Sequence, residues 1–229
     1  RILLVLGIVL LGIWGFVELA EMVNEGETRT LDTALLLALR NPLDPGQALG
    51  PPWMGEIMRD ITALGGTAVL SLLSLSVVGY LALLRRYDLA LLVIVAVGGA
   101  MLLNLVLKLG FDRPRPELVP HLTEVYQTSF PSGHSMSSAA TYLTLGAMMA
   151  RVQPRRQLKV YFLALAIAVM LVVGFSRVYL GVHWPTDVLA GWAAGAIWAL
   201  LCWLVAWYIS QRRQPPPSAA DELAETAEA

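Results

Sequence analysis

Three short polar clusters in this chain could carry chemistry. The first runs from Lys108 through Arg115 to Pro116, the second joins Ser132, Gly133 and His134, and the third joins Ser176, Arg177, His183 and Asp187. Lys108, Arg115 and Arg177 are cations, and cations beside two histidines suit an anion. His183 stands four residues before Asp187. That spacing suits an imidazole oriented by a carboxylate, and so a nucleophile or a base.

Each residue also has a simpler account. Lys108 and Arg177 follow apolar runs and could snorkel to lipid headgroups. Pro114 and Pro116 stiffen the turn that carries Arg115. Ser132 is a good N-cap, Gly133 lets a backbone approach closely, and the free N–H groups of a helix start hold phosphate. A cap explains Ser132 but not His134. Pro185 suits the first position of a helix, which puts Asp187 in the first turn. There it could cap the helix, or reach back to His183 and leave Nε2 free.

The elements around these clusters are apolar. The 229 residues are 57% hydrophobic and 14% charged, against about 25% charged in ordinary soluble domains. Net charge is −1, so no bulk basic field argues for nucleic acid. Cys202, the one cysteine, lies in an apolar run and reads as a packing residue. Uncharged runs cover residues 2–17, 61–84, 89–107, 135–150, 160–176 and 188–211. With flanking residues each approaches the roughly 20 residues that cross a bilayer. The expectation is an all-α bundle of six transmembrane helices. Residues 2–17 read as a span and not a signal peptide, because no convincing cleavage site follows. Gly191 and Gly195 form a GxxxG packing signal in the last span.

Lys and Arg set the expected orientation. Arg1, Arg85, Arg86, Arg151, Arg155, Arg156, Lys159, Arg212 and Arg213 fall on one side, and Arg29, Arg40, Arg59, Lys108, Arg113, Arg115 and Arg177 on the other. With the four of the second set that lie in or within the clusters set aside, the first side carries the excess and is expected to be cytoplasmic, with both termini. The long loop over residues 25–60 is external. Within it, residues 30–41 read as a short amphipathic interfacial helix, with Asp32 in its first turn and Arg40 in its last. Residues 1–213 form the membrane domain, and residues 214–229, proline-rich and then acidic, read as a disordered cytoplasmic tail. All three clusters then meet at the outer face.

Three chemistries compete for such a site. A metal held by His134, His183 and Asp187 would be repelled by Lys108, Arg115 and Arg177. A serine hydrolase built on Ser132 or Ser135 lacks the G-x-S-x-G elbow. Phosphoryl transfer uses every residue: cations and N–H groups for the spread charge, one histidine as nucleophile and another as acid. A transporter would place its polar groups near the bilayer midplane and not at one face.

The motifs K-x6-RP, PSGH and SR-x5-H-x3-D, in this order and spacing, resemble the type 2 phosphatidic acid phosphatase family of the acid phosphatase–vanadium haloperoxidase superfamily. All three match without a departure. The resemblance implies an integral membrane lipid phosphatase with no metal or other cofactor. It implies that His183 forms a phosphohistidine, that Asp187 orients it, and that His134 protonates the leaving oxygen and then activates water. Lys108, Arg115, Ser132, Gly133 and Arg177 would hold the phosphate. Substrates of such proteins include phosphatidic acid, phosphatidylglycerol phosphate, polyprenyl diphosphates and lipid A phosphates, and phosphotransferases occur among them. A vanadate-dependent oxidase shares the motifs but is soluble. A compact chain with short cytoplasmic loops suggests a bacterial cytoplasmic membrane. Asp112, Arg113, Glu117 and Tyr126 lie near the motifs, and no motif assigns them a role.

Overall fold

The computed structural model describes residues 2–123 and 127–212. The expected tail over 214–229 and Tyr126 lie outside the described residues. Helices dominate: α1 (Ile2–Asn24), α2 (Arg29–Leu37), α3 (Trp53–Ala63), α4 (Thr67–Leu83), α5 (Tyr87–Leu109), α6 (Gly133–Val152), α7 (Arg156–Tyr179) and α8 (Pro185–Arg212). In a bilayer each backbone N–H and C=O needs an internal partner, so uncharged runs of this length fold as helices. Their outer faces are apolar, with Leu3, Leu10, Leu72 and Leu102 all exposed.

Among the described residues, four helices are long and apolar enough to cross a membrane: α1, α5, α7 and α8. A fifth span arises if α3 and α4 count together, bent by 42°. The run over 61–84 is therefore not one straight helix. Gly65 and Gly66 interrupt it, because a Cβ at Gly65 would lie 3.1 Å from the His134 carbonyl oxygen and 3.4 Å from its Cβ. The helix yields there so that the break can sit against the start of α6. The sixth expected span, α6, has 20 residues. It is richer in Ser, Thr, Gly and Ala than the others and sits among α5, α7 and α8.

The loop over residues 25–60 departs from expectation. Its helix ends at Leu37, not at Asn41. Arg40–Asn41 and Asp44–Ala48 pair instead as an antiparallel two-stranded hairpin, β1 and β2. Local side-chain bonds explain this: Asn41 Oδ1 accepts from Leu43 N, and Asp44 Oδ1 accepts from Gly46 N, each at 3.0 Å. Arg40 is thus not a last-turn cation. It is buried in β1, and its Nη2 donates to the Tyr179 carbonyl. Leu36 of α2 is fully buried with Val119, Val178, Trp184 and Val188, while Leu31, Leu35 and Leu37 stay exposed. Helix α2 therefore caps the end of the bundle where α7 meets α8.

The GxxxG pair closes α8 onto α6. A Cβ at Gly191 would lie 2.6 Å from the Ser132 carbonyl oxygen, and one at Gly195 would lie 2.8 Å from Ala139 Cβ. Two cluster-bearing helix starts are thereby held side by side.

Candidate active site

The turn between α7 and α8 presents His183. Helix α7 ends in a Schellman motif: Val182 N donates to the Arg177 carbonyl and Gly181 N to that of Val178. Gly181 carries the left-handed residue, φ 75°. Helix α8 begins at Pro185, as its sequence predicts. Asp187 Oδ2 accepts Trp184 N at 2.9 Å, so the carboxylate does cap the helix. The same oxygen lies 3.4 Å from His183 Nδ1. One oxygen thus meets both accounts of Asp187.

The ring's tautomer follows from its neighbours. Arg115 Nη1 lies 3.2 Å from His183 Nε2. A guanidinium only donates, so Nε2 must accept. The proton is then on Nδ1, facing Asp187. His183 is 2% exposed, and burial lowers its pKa to about 3 while Asp187 pulls upward. The ring is neutral at pH 7, with its free lone pair turned toward a cation.

Lys108 and Arg115 are gathered by the backbone that precedes Pro131. Lys108 Nζ and Arg115 Nη2 both donate to the Thr128 carbonyl, and Arg115 Nε donates to that of Gln127 at 2.7 Å. Arg115 Nη1 also donates to the Val182 carbonyl at 2.6 Å. Burial pushes the Arg115 guanidinium below its ordinary pKa. Arg177 is 4% exposed, and its Nη1 donates to Thr62 Oγ1 at 3.1 Å. Its buried Nε has no partner among the described residues. Ser132 caps α6, accepting from Ser135 N, and its own N–H donates to the Asp187 carbonyl at 3.0 Å. Gly133 lies against Asn104, whose Nδ2 would be 2.9 Å from a Cβ there. His134 occupies the first turn of α6 beside the Gly65–Gly66 break, within electrostatic reach of Lys108, Arg115, Arg177 and His183. All eight candidate residues therefore lie at one end of the bundle. Among the described residues, no group of three or more His, Cys, Asp or Glu is placed to hold a metal ion.

Four supporting residues escape the motif reading. Ser129 Oγ donates to Asp187 Oδ2. Thr62 carries Arg177. Arg113 donates to both Asp187 and Asp32. Asp32, expected only as a dipole partner within its own helix, accepts from Thr186 N and Thr186 Oγ1. No motif holds Asp32 or Arg113, and each has other charged residues nearby, Arg29 for the first and Asp112 and Arg115 for the second, so nothing in the sequence singles out their pairing.

A helical membrane bundle with this constellation at one end defines a phosphatase class, and comparison with known proteins agrees. Residues 89–211 match the PAP2 superfamily, and the chain belongs to that family. Phosphatidylglycerophosphatase B of Bacillus subtilis is 35% identical over 186 residues, covering 80% of this chain and 86% of that protein. An undecaprenyl-diphosphatase of Sulfolobus acidocaldarius is 38% identical over 89 residues, 38% of this chain and 36% of that one. The crystal structure of a transmembrane PAP2-type phosphatidylglycerolphosphate phosphatase from Bacillus subtilis aligns with TM-score 0.77 and 29% identity. It covers 91% of this chain and 98% of that one. The chain is accordingly a phosphoric ester hydrolase of the membrane lipid phosphatase kind.

Proposed function

We propose that this protein removes phosphate from a membrane lipid through a phosphohistidine at His183. The observation that carries the mechanism is Arg115 Nη1 at 3.2 Å from His183 Nε2, with Asp187 on the opposite nitrogen. That contact marks where a phosphoryl group enters. An arriving phosphate takes over the donors of Arg115, Lys108 and Arg177, together with the N–H groups at Ser132 and Gly133. The unpartnered Nε of Arg177 supports this, since a buried donor without an acceptor is costly. His183 Nε2 attacks phosphorus, the bond to the lipid oxygen breaks, and His134, acting in its protonated form beside the bound phosphate anion, gives that oxygen a proton and becomes neutral. His134 then takes a proton from water, which attacks the phosphohistidine and releases inorganic phosphate. Asp187 offsets the positive ring in between.

The substrate we favour is phosphatidylglycerol phosphate, because the relative of that activity matches along most of both chains. Undecaprenyl diphosphate and lipid A phosphates are the alternatives. We place α6 as a sixth span, since 20 residues at 1.5 Å each equal a hydrocarbon core of about 30 Å. We place α2 at the membrane interface and the site on the outer face of a bacterial cytoplasmic membrane, with both termini inside. Phosphate release from a panel of these lipids in detergent tests the reading. Turnover is expected to be fastest on phosphatidylglycerol phosphate and to fall by at least about 10³-fold in His183→Ala. A folded His183→Ala protein with normal turnover overturns the mechanism, and a different best lipid overturns the substrate.

A further inference from the structure

Asp187 is fully buried, and its two oxygens have different company. Oδ2 serves Trp184 N, Ser129 Oγ and the His183 side. Oδ1 accepts from Arg113 Nη1, whose guanidinium lies 5.6 Å from the Trp184 ring centroid. The fork of Arg113 reaches further: its Nη2 donates to Asp32 Oδ2 at 2.6 Å and to Thr28 Oγ1 at 3.2 Å. Asp32 is also fully buried. It accepts Thr186 N at 3.0 Å on Oδ1 and Thr186 Oγ1 at 2.7 Å on Oδ2. A row of carboxylate, guanidinium, carboxylate and imidazole therefore runs from α2 to His183.

The charges in this row matter as much as the geometry. Arg113 alone would neutralise Asp187 and leave nothing to offset a positive ring at His183. Asp32 supplies the second negative charge, so the three groups keep one net negative charge facing Nδ1. A planar fork can hold two carboxylates in fixed directions, which a point charge cannot.

We infer that Asp32, acting through Arg113, is a positioning residue for the His183 nucleophile: it holds Asp187 in place and preserves its charge toward the ring. The external helix α2 thereby becomes part of the active-site support, and not only a cover. This rests on His183 being the nucleophile.

The test uses the full chain in detergent, with Asp32→Asn and Arg113→Lys. Phosphate release gives kcat and KM. Nitrogen-15 NMR of histidine-labelled protein reads the His183 tautomer without turnover, with the signal assigned by its loss in His183→Ala. Both variants are expected to lose about 10- to 100-fold in kcat, the range seen when the outer hydrogen-bond support of a reactive site is removed, with KM within about threefold of wild type. The His183 signal is expected to move from a single Nδ1–H tautomer toward a mixture. If kcat and tautomer stay unchanged while only the melting temperature falls, Asp32 is a clamp for α2 and the inference fails. Should Asp32→Asn not fold, Arg113→Lys decides alone. If wild type releases phosphate from no lipid, the functional reading falls, and the tautomer result still decides this one.

Discussion

His183 is held neutral by burial, with a pKa near 3 although Asp187 raises it. In an unfolded chain an ordinary histidine titrates at about 6.5. Between about pH 6.5 and pH 3 the unfolded chain therefore binds a proton that the folded chain does not, so folding weakens as pH falls through that window. The slope for one such group approaches 1.4 kcal/mol per pH unit, as an order of magnitude. The melting temperature in detergent is expected to drop between pH 7 and pH 4.5, and to drop less steeply in His183→Gln. Equal slopes would mean that the ring is not held neutral. Arg177 makes a second case at this scale. Its guanidinium is anchored at one nitrogen by Thr62 and has a buried donor to spare. Arg177→Lys keeps the charge and loses the fork, and kcat is expected to fall on the order of 10²-fold. An unchanged kcat in phosphate-release assays would reduce Arg177 to an interfacial anchor.

At the scale of elements, close backbone approach does the positioning. A methyl at Gly191 would meet the Ser132 carbonyl and Ser135 Cβ, whereas one at Gly79 in α4 meets nothing within 4 Å. Gly191→Ala is therefore expected to destabilise by about 1–3 kcal/mol and to slow turnover by shifting the α6 start, while Gly79→Ala does neither. Thermal melting and phosphate release on both variants check this. The contrast also shows what was legible beforehand. The three motifs are short, and local helix and turn rules then place Pro185, Asp187, Ser132 and the GxxxG face correctly. The break at Gly65–Gly66 was hidden because no charge interrupts the run around it, and only its contact with His134 gives it a reason. The hairpin at Arg40 depends on Asn41 and Asp44 bonding their own backbone, a competition that helical periodicity does not register. The pairing of Arg113 with Asp32 spans 81 residues and exists only once α2 docks on the bundle.

The whole molecule is polar at its two ends and greasy between them. The site end gathers Lys108, Arg113, Arg115, Arg177 and the first turns of α6 and α8, while Arg85, Arg86, Arg151, Arg155, Arg156, Lys159 and Arg212 lie at the other ends of the same helices. With the site's own cations set aside, only Arg29, Arg40 and Arg59 remain at the site end, so the excess of Lys and Arg on the short loops lies at the other end; such an excess marks the cytoplasmic side, and the site is expected to face outward. A lipid phosphate already sits at that depth. Its tails then need not leave the bilayer, which avoids about 0.8 kcal/mol for each CH₂ exposed to water. Long-chain lipids are accordingly expected to outcompete water-soluble phosphates with the same headgroup. Single cysteines in a Cys202→Ala background test the orientation directly. Pro154→Cys, between α6 and α7, is expected to resist an impermeant thiol reagent in intact cells. Gln127→Cys, exposed at the site end, is expected to react. The reverse labelling pattern would put the catalytic end in the cytoplasm and overturn both the orientation and entry from the outer leaflet.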